Sequence, residues 1–241
     1  TDAITNCLKF LCADARVHES NTELTGWGQV KPTSQVLDCN ASGTTMRFIA
    51  ALALLTDLDL VLTGTSRLLA RPMDGLIEVL EACGKILIDQ GNLRKISGTA
   101  NIPDELTVDA SKSGQFVSGL LMALAACKKP VKLTALNPVS IPFIEMTISV
   151  MQSFGAQVSM SIEDKSLVFV LSGTGYQARQ FTVEPDVMSA NYFLALGAIT
   201  GQKVFIPNIT KQTVQGDIAM VRTLETMGAT IEYLDGGIRA S

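Results

Sequence analysis

The chain has 241 residues, 47% of them hydrophobic, and its 19 Lys and Arg against 23 Asp and Glu give a net charge of −4. This length and apolar content predict a globular protein with one large domain or two ordinary ones. The charge balance excludes a broad basic surface for nucleic acid or an acidic membrane, so any anionic ligand must be met by local donors.

The cysteines and the single histidine do not indicate a metal site. Five cysteines are scattered without a Cys-x-x-Cys pair, and His18 is the only histidine, so a zinc ligand set is not evident. Unpaired cysteines of this kind are typical of a reducing cytoplasm. The longest apolar run, residues 48–55, is too short to cross a bilayer.

Hydrophobic periodicity predicts alternating helices and short strands from the start of the chain. In chain order these are an amphipathic helix over residues 1–12, strands over 16–20 and 36–39 with a polar loop around Trp27 and Pro32, a buried helix through 49–55, a strand over 58–62, an arginine-bearing link over 64–71, an amphipathic helix over 73–83, and a hairpin over 85–88 and 93–96.

The same order of elements recurs later in the chain. The second copy has a buried helix ending at residue 127, a strand over 131–134, a link with Ser140 and Pro142, an amphipathic helix over 144–154, and a hairpin over 157–161 and 167–170; the third has a buried helix through 192–199, a strand over 203–206 and an amphipathic helix over 217–227. Gly84, Gly155 and Gly228, which close the amphipathic helices, lie roughly 70 residues apart. The sequence therefore predicts an internal repeat of a strand-helix-strand-helix-hairpin unit.

Each predicted buried helix begins with small polar residues, at 42–44, 113–115 and 188–190. Such a start points unpaired backbone N–H groups and the positive end of the helix dipole at a phosphate or carboxylate. Ser113 and Gln115 would add side-chain donors, and Arg67 and Arg71 lie in the link that returns toward the helix start. The residues alone leave the simpler alternatives open, namely serines that only cap helices and arginines that only lie on the surface.

Six segments, in order along most of the chain, resemble one protein family. They are Ser-Gly-Thr-Thr-Met-Arg at 42–47, Arg-Pro-Met at 71–73, Ser-Gly-Gln-Phe at 113–116, Ser-x-Pro-Phe-Ile-Glu-Met-Thr at 140–147, Val-Glu-Pro-Asp-x-x-Ser at 183–189, and Gln-Gly-Asp at 215–217 followed by 224–229. These segments resemble the enolpyruvyl transferases, and within that family the branch that acts on shikimate-3-phosphate.

The resemblance implies a mixed α/β (α+β) fold, an alpha-beta prism built from repeated βαβαββ units with buried helices. It implies a substrate-binding prism domain over residues 1–182, with an incomplete first unit, and one unit of a second prism domain over 183–241. The family's amino-terminal Lys-Ser segment and its catalytic Asp and Glu have no counterpart in the matched segments. We therefore expect no catalytic residue within this chain, and an incomplete fragment that is inactive by itself.

The resemblance also implies an activity and a set of ligands. The activity is transfer of the enolpyruvyl (1-carboxyvinyl) group from phosphoenolpyruvate to the 5-hydroxyl of shikimate-3-phosphate, in the shikimate pathway to chorismate and the aromatic amino acids. The family needs no metal and no organic cofactor, is usually monomeric and works in the cytoplasm. By matching position, the substrate-binding residues are Gly43 and Arg71 for phosphoenolpyruvate, Gln115 for both substrates, and Ser113, Gly114 and Ser140 for the phosphate side of shikimate-3-phosphate.

Three positions depart from the family pattern. Gly114 replaces a Ser or Ala, which leaves only the backbone N–H as a donor; Phe143 stands where many relatives have Tyr; and Ala41 occupies the place of an Asn. Two alternative functions remain. One is the related transfer to UDP-N-acetylglucosamine, which the segments at 113–115 and 140 fit less well, and the other is a non-catalytic binding module.

Overall fold

The computed structural model describes residues 2–12, 14–17, 22–25 and 35–241. The chain forms two compact units, Thr1–Gln177 and Ala178–Ser241, and each has its own hydrophobic core. The division into prism domains at residue 182 stays a prediction. The polar loop predicted around Trp27 and Pro32 lies outside the described residues, as does the end of the strand predicted over 16–20.

The first unit alternates helices and strands. Its helices are α1 (Asp2–Leu11), α2 (Gly43–Ala51), α3 (Ser66–Leu69), α4 (Asp74–Ala82), α5 (Gly114–Ala126) and α6 (Ile141–Ser153), and its strands are β1 (Asp14–Val17), β2 (Thr22–Thr25), β3 (Val36–Asp38), β4 (Leu60–Thr63), β5 (Ile86–Gln90), β6 (Leu93–Ser97), β7 (Glu105–Asp109), β8 (Val131–Leu136), β9 (Val158–Glu163) and β10 (Ser166–Leu171).

Two four-stranded sheets of the first unit have the same topology. Their strand orders are β3-β4-β6-β5 and β7-β8-β10-β9. In each sheet the first two strands are parallel and the remaining neighbours are antiparallel. A parallel pair requires a crossover, which α2 provides in the first sheet and α5 in the second. This confirms the repeated unit and the mixed α/β fold.

The three closing glycines end their helices in the same way. Gly84, Gly155 and Gly228 have φ values of 85°, 85° and 100°. Each donates its backbone N–H to the carbonyl three residues earlier, and the next residue donates to the carbonyl five residues before it. This left-handed ending satisfies carbonyls of the last helical turn and favours glycine. It redirects the chain into the hairpin of each unit.

Helices α2 and α5 are buried, as predicted, although α2 ends at Ala51 and residues 52–55, predicted as part of this helix, form a 3-10 helix. Neither has a polar face, and α5 packs between α2 and α6. Gly119 lies at the contact of α5 with α2, where a Cβ would be at ordinary van der Waals distance, 3.4 Å, from the Cβ of Ala51. The two homologous helix starts are therefore held side by side within one core.

The second unit contains a smaller version of the repeat. It comprises α7 (Val187–Thr200), β11 (Val204–Pro207), a 3-10 turn (Gly216–Ile218), α8 (Ala219–Thr226), β12 (Ile231–Leu234) and β13 (Gly237–Ala240), with the sheet order β11-β13-β12. The prediction of a buried helix through 192–199 is wrong here, since Tyr192 is 76% and Ile199 83% exposed. The unit has one sheet and one other helix against which to pack, and these cover only the side of α7 that carries Ala190 and Leu194.

The remaining differences are local. Residues 66–69 form the short helix α3, where a turn-rich link was expected, because Thr65 caps it by accepting from the N–H of Leu68. Helix α6 begins at Ile141 instead of 144, since Pro142 is accommodated in its first turn. In the described part of the chain, no helix combines the length and apolarity needed to span a bilayer. Within the described residues, no group of three or more His, Cys, Asp or Glu side chains lies close enough together to hold a metal ion.

Candidate functional site

The start of α2 is a helix amino terminus with glycine as its first residue. Ser42 is its N-cap, and its hydroxyl accepts from the backbone N–H of Thr45 at 3.2 Å. Gly43, the first helical residue, is buried and has no side chain to cover the N–H groups of the first turn. These N–H groups and the dipole of α2 therefore favour an anion in front of Gly43.

Two guanidinium groups flank this helix start. A Cβ at Gly43 would lie 2.7 Å from Nη1 of Arg71 and 3.3 Å from Nη1 of Arg47. The first distance is shorter than real Cβ contacts, so glycine is what lets Arg71 lie against α2. Arg71 follows α3, and the bend made by this short helix returns the chain from β4 toward the start of α2.

Arg47 is a buried cation on α2, with 4% of its surface exposed. Its Nη2 donates to the carbonyl of Pro72 at 3.1 Å, and its guanidinium lies 5.2 Å from the ring centroid of Phe116. Burial, and secondarily the charge of Arg71, lower the pKa of Arg47. Arginine nonetheless keeps its proton in proteins, so Arg47 provides a fixed positive charge near the start of α2.

Gln115 connects the two buried helices. Its Oε1 accepts from Nη1 of Arg47 at 2.5 Å, and its Nε2 donates to the hydroxyl of Thr44 at 2.8 Å. The backbone N–H of Gln115 donates to the hydroxyl of Ser113, which is the N-cap of α5. The amide is therefore bonded at both ends, and Ser113 lies at the start of the neighbouring helix.

Gly114, at the start of α5, lies against the backbone just before α6. A Cβ at Gly114 would lie 2.6 Å from the carbonyl oxygen of Val139 and 3.4 Å from the Cβ of Ser140. The departure from the family's Ser or Ala therefore allows the backbone before α6 to approach α5 more closely than a side chain would permit.

Ser140 is held in a left-handed conformation, with φ 58° and ψ 40°. Its hydroxyl does not cap α6, and the residue is exposed. A non-glycine residue in this conformation costs on the order of 1 kcal/mol. Such strain persists only where the surrounding structure fixes the conformation.

All six predicted site residues thus belong to one series of contacts in the first unit. Arg71 lies on Gly43, Gln115 is linked to α2 through Arg47, and Gly114 packs on Ser140. Among the described residues, neither Arg47 nor Arg71 forms an ion pair with a carboxylate. The positive charge of this site is therefore not neutralised by the described part of the protein.

Sequence reasoning missed Arg47 and Thr44 as members of the site. Both lie in the segment 42–47 that carried the family resemblance, but neither was assigned a role. The available signal for Arg47 was a lone charge in an otherwise apolar helix, since a buried helix admits a cation only where partners satisfy it. Their contacts with Gln115 add them to the candidate site.

Comparison with known proteins places the chain in a family. A sequence profile described as EPSP synthase (3-phosphoshikimate 1-carboxyvinyltransferase) matches residues 1–240. The chain is 35% identical to the 3-phosphoshikimate 1-carboxyvinyltransferase of Photobacterium profundum, over 98% of this chain and 57% of the relative. It is 38% identical to that of Vibrio cholerae, over 95% of this chain and 56% of the relative. The chain thus spans about half the length of the curated relatives it matches.

A solved structure has the same fold. EPSP synthase from Acinetobacter baumannii superposes with a TM-score of 0.72 at 20% identity, covering 96% of this chain and 53% of that chain. Together with the profile match over residues 1–240, these similarities show that the chain belongs to the EPSP synthase (3-phosphoshikimate 1-carboxyvinyltransferase) family.

Proposed function

We propose that this chain provides anion-binding groups for a 3-phosphoshikimate 1-carboxyvinyltransferase. The reaction transfers the enolpyruvyl group of phosphoenolpyruvate to the 5-hydroxyl of shikimate-3-phosphate and releases phosphate. Membership in the family supports this proposal, and it disfavours the related transfer to UDP-N-acetylglucosamine. The enzyme would act in the cytoplasm as a monomer, with two small-molecule substrates and without a metal or organic cofactor.

The contact of Arg71 with Gly43 carries the proposal. It places a guanidinium beside the N–H groups at the start of α2. Both features attract anions, and their effects would add on an anion bound at this helix start. Phosphoenolpyruvate presents a carboxylate and a phosphate, and a guanidinium fork fits either group.

The remaining residues divide between the two substrates. We assign Gly43 and Arg71 to phosphoenolpyruvate, and Ser113, Gly114 and Ser140 to the phosphate side of shikimate-3-phosphate. Gln115 lies between these groups and would contact both substrates. Arg47 is a positioning residue, because it fixes the amide of Gln115.

These groups would act chemically by positioning and by screening charge. Both substrates are anions, so bringing them together requires cations and donors that offset their mutual repulsion. Holding the 5-hydroxyl near the enolpyruvyl carbon converts an encounter in solution into a step within one complex. Addition of the hydroxyl and elimination of phosphate then proceed from this fixed arrangement, with proton transfer supplied by groups other than the six residues.

The test is calorimetric titration of phosphoenolpyruvate without shikimate-3-phosphate, so that no turnover occurs, using a full-length protein that contains residues 1–241. Arg71→Ala should weaken binding by about 10- to 150-fold, the equivalent of a charge-assisted hydrogen bond of about 1.5 to 3 kcal/mol. Arg67→Ala is the matched control, since Arg67 and Arg71 are both exposed arginines near α3, and of the two it is Arg71 whose guanidinium lies nearest to Gly43. It should leave the affinity unchanged.

Three outcomes would overturn the proposal. Equal affinities for the Arg71→Ala and unsubstituted proteins would show that Arg71 is a surface residue without a ligand. Binding of UDP-N-acetylglucosamine in place of shikimate-3-phosphate would favour the other branch of enolpyruvyl transfer. Binding of both proposed substrates without phosphate release in the full-length protein would identify a non-catalytic binding module.

A further inference from the structure

Arg71 is placed by helix α3, which is only four residues long. The start of α3 is attached to the loop before α2, because the backbone N–H of Thr65 donates to the carbonyl of Asn40 at 2.8 Å. The backbone N–H of Arg71 donates to the carbonyl of Leu68 at 3.0 Å, so Arg71 continues the last turn of α3. The guanidinium that lies against Gly43 is therefore carried by the end of this short helix.

The end of α3 is held by a side chain from the neighbouring sheet. Arg94 lies on β6, the strand that pairs with β4, and its Nη2 donates to the carbonyl of Leu69. Leu69 is the last residue of α3, and the last carbonyls of a helix have no partner within the helix itself. Arg94 thus satisfies a carbonyl that lies two residues before Arg71.

Arg94 is largely buried and only loosely paired with a carboxylate. Its side chain is 12% exposed, and its Nε lies 3.8 Å from the carboxylate of Asp89. Among the described residues, the buried Nη1 of Arg94 has no hydrogen-bond partner. Burying a guanidinium that is not fully satisfied costs free energy, so stability alone would favour an apolar side chain here. Its contact with α3 gives a reason for an arginine at this position.

We propose that Arg94 is a positioning residue for phosphoenolpyruvate, and that it acts through Arg71. By binding the carbonyl of Leu69, Arg94 fixes the last turn of α3 and the direction in which the chain continues to Arg71. The guanidinium of Arg71 is then held against Gly43 before the ligand arrives. This inference rests on the proposed function, because it requires that Arg71 binds phosphoenolpyruvate.

Loss of Arg94 should therefore affect one substrate and not the other. Without its hydrogen bond, the end of α3 would be free to shift, and binding of phosphoenolpyruvate would have to restrict Arg71 to one position. Such ordering lowers affinity. The residues that we assign to shikimate-3-phosphate lie at the start of α5 and before α6, so their positions do not depend on α3.

The experiment is a double-mutant cycle, measured by calorimetric titration of phosphoenolpyruvate into a full-length protein that contains residues 1–241. Arg94→Leu should weaken binding by about 3- to 30-fold, the effect of one hydrogen bond. In an Arg71→Ala background the same substitution should change the affinity by less than about twofold, because the residue through which Arg94 acts is absent.

Lys95→Leu is the matched control on the same strand. Lys95 is the next residue of β6, so its side chain points to the opposite face of the sheet, and its Nζ pairs with Asp59 at 2.7 Å. This substitution also removes a partly buried cation, but it leaves α3 untouched. The affinity for phosphoenolpyruvate should stay unchanged.

A separate titration of shikimate-3-phosphate distinguishes positioning from a general disturbance of the fold. Its affinity should be the same in the Arg94→Leu and unsubstituted proteins. Arg94→Gln, which is shorter and uncharged, should behave in the same way and replaces Arg94→Leu if that protein does not fold. The inference is overturned if phosphoenolpyruvate binds with unchanged affinity, if both affinities fall equally, or if the loss is as large without Arg71.

The same cycle separates this inference from the proposed function. The Arg71→Ala protein by itself tests the proposed function. Weaker binding in Arg71→Ala together with unchanged binding in Arg94→Leu would overturn only the role of Arg94. Unchanged binding in Arg71→Ala would overturn both.

Discussion

The side chain of Arg47 donates to the amide oxygen of Gln115 over 2.5 Å, joining α2 to α5 across 68 residues of sequence. The other end of the amide donates to Thr44 on α2. An amide bonded at both ends has one orientation, because reversing it would place the NH₂ group against a guanidinium. The starts of two repeat units are therefore fixed relative to each other.

Replacing Arg47 should destabilise the protein. Arg47→Met removes the donors to Gln115 and to the carbonyl of Pro72, and each unsatisfied buried acceptor costs about 1 to 3 kcal/mol. We expect the free energy of unfolding, measured by urea denaturation, to fall by about 3 kcal/mol. Arg67→Met, at an exposed position, should change it by less than about 0.5 kcal/mol. Equal effects of the two substitutions would show that the bonds of Arg47 add nothing to stability.

The repeat and part of the site could be predicted because their signals are local. The buried helices show as apolar runs, their starts as Ser and Gly, and their partner helices end at Gly84 and Gly155. Ser113 and Gln115 are neighbours in sequence, so a single helix start brings them together. The periodic pattern of apolar residues in the sequence predicts such local arrangements directly.

The position of Arg71 and the burial of Arg47 could not be predicted in the same way. The position of Arg71 depends on the bend made by α3, a four-residue helix that its composition does not indicate. The burial of Arg47 depends on acceptors supplied by distant segments. Helix α7 shows the converse, since its apolar sequence indicated burial, but burial also needs elements to cover it.

Gly114 should be intolerant of even a methyl group. In Gly114→Ala the Cβ would lie 2.6 Å from the carbonyl oxygen of Val139, so the backbone before α6 would have to move. Overpacking of this kind typically costs about 1 to 3 kcal/mol, and we expect a loss in that range by urea denaturation, together with weaker binding of shikimate-3-phosphate.

Gly119→Ala provides the control in the same helix. Its Cβ would meet its nearest atoms at 3.4 Å, and alanine favours helix over glycine by about 1 kcal/mol. We expect its stability to stay within about 1 kcal/mol of the unsubstituted protein. A Gly114→Ala protein as stable as the Gly119→Ala protein would contradict the close approach of α5 and α6.

Two substitutions of Ser140 should have the same effect on binding but different effects on stability. Ser140→Gly and Ser140→Ala both remove the hydroxyl, so both should weaken binding of shikimate-3-phosphate. They should differ in stability, because glycine adopts φ 58° without strain and alanine does not. We expect the glycine variant to have the higher free energy of unfolding, by about 1 kcal/mol. Unchanged affinity in both variants would remove Ser140 from the binding site.

The 241-residue polypeptide by itself should bind without turning over. None of its six candidate residues is an Asp, Glu, His, Lys, Tyr or Cys of the kind that serves in general acid–base catalysis, and loss of such help alone slows a reaction by roughly a hundred- to ten-thousand-fold. The chain also spans only 57% of its Photobacterium profundum relative. We therefore expect weak binding of shikimate-3-phosphate by calorimetry and no measurable phosphate release from the two substrates. The Vibrio cholerae relative, assayed in parallel, is the positive control. If the 241-residue polypeptide released phosphate at a comparable rate, the groups that transfer protons would have to lie within residues 1–241.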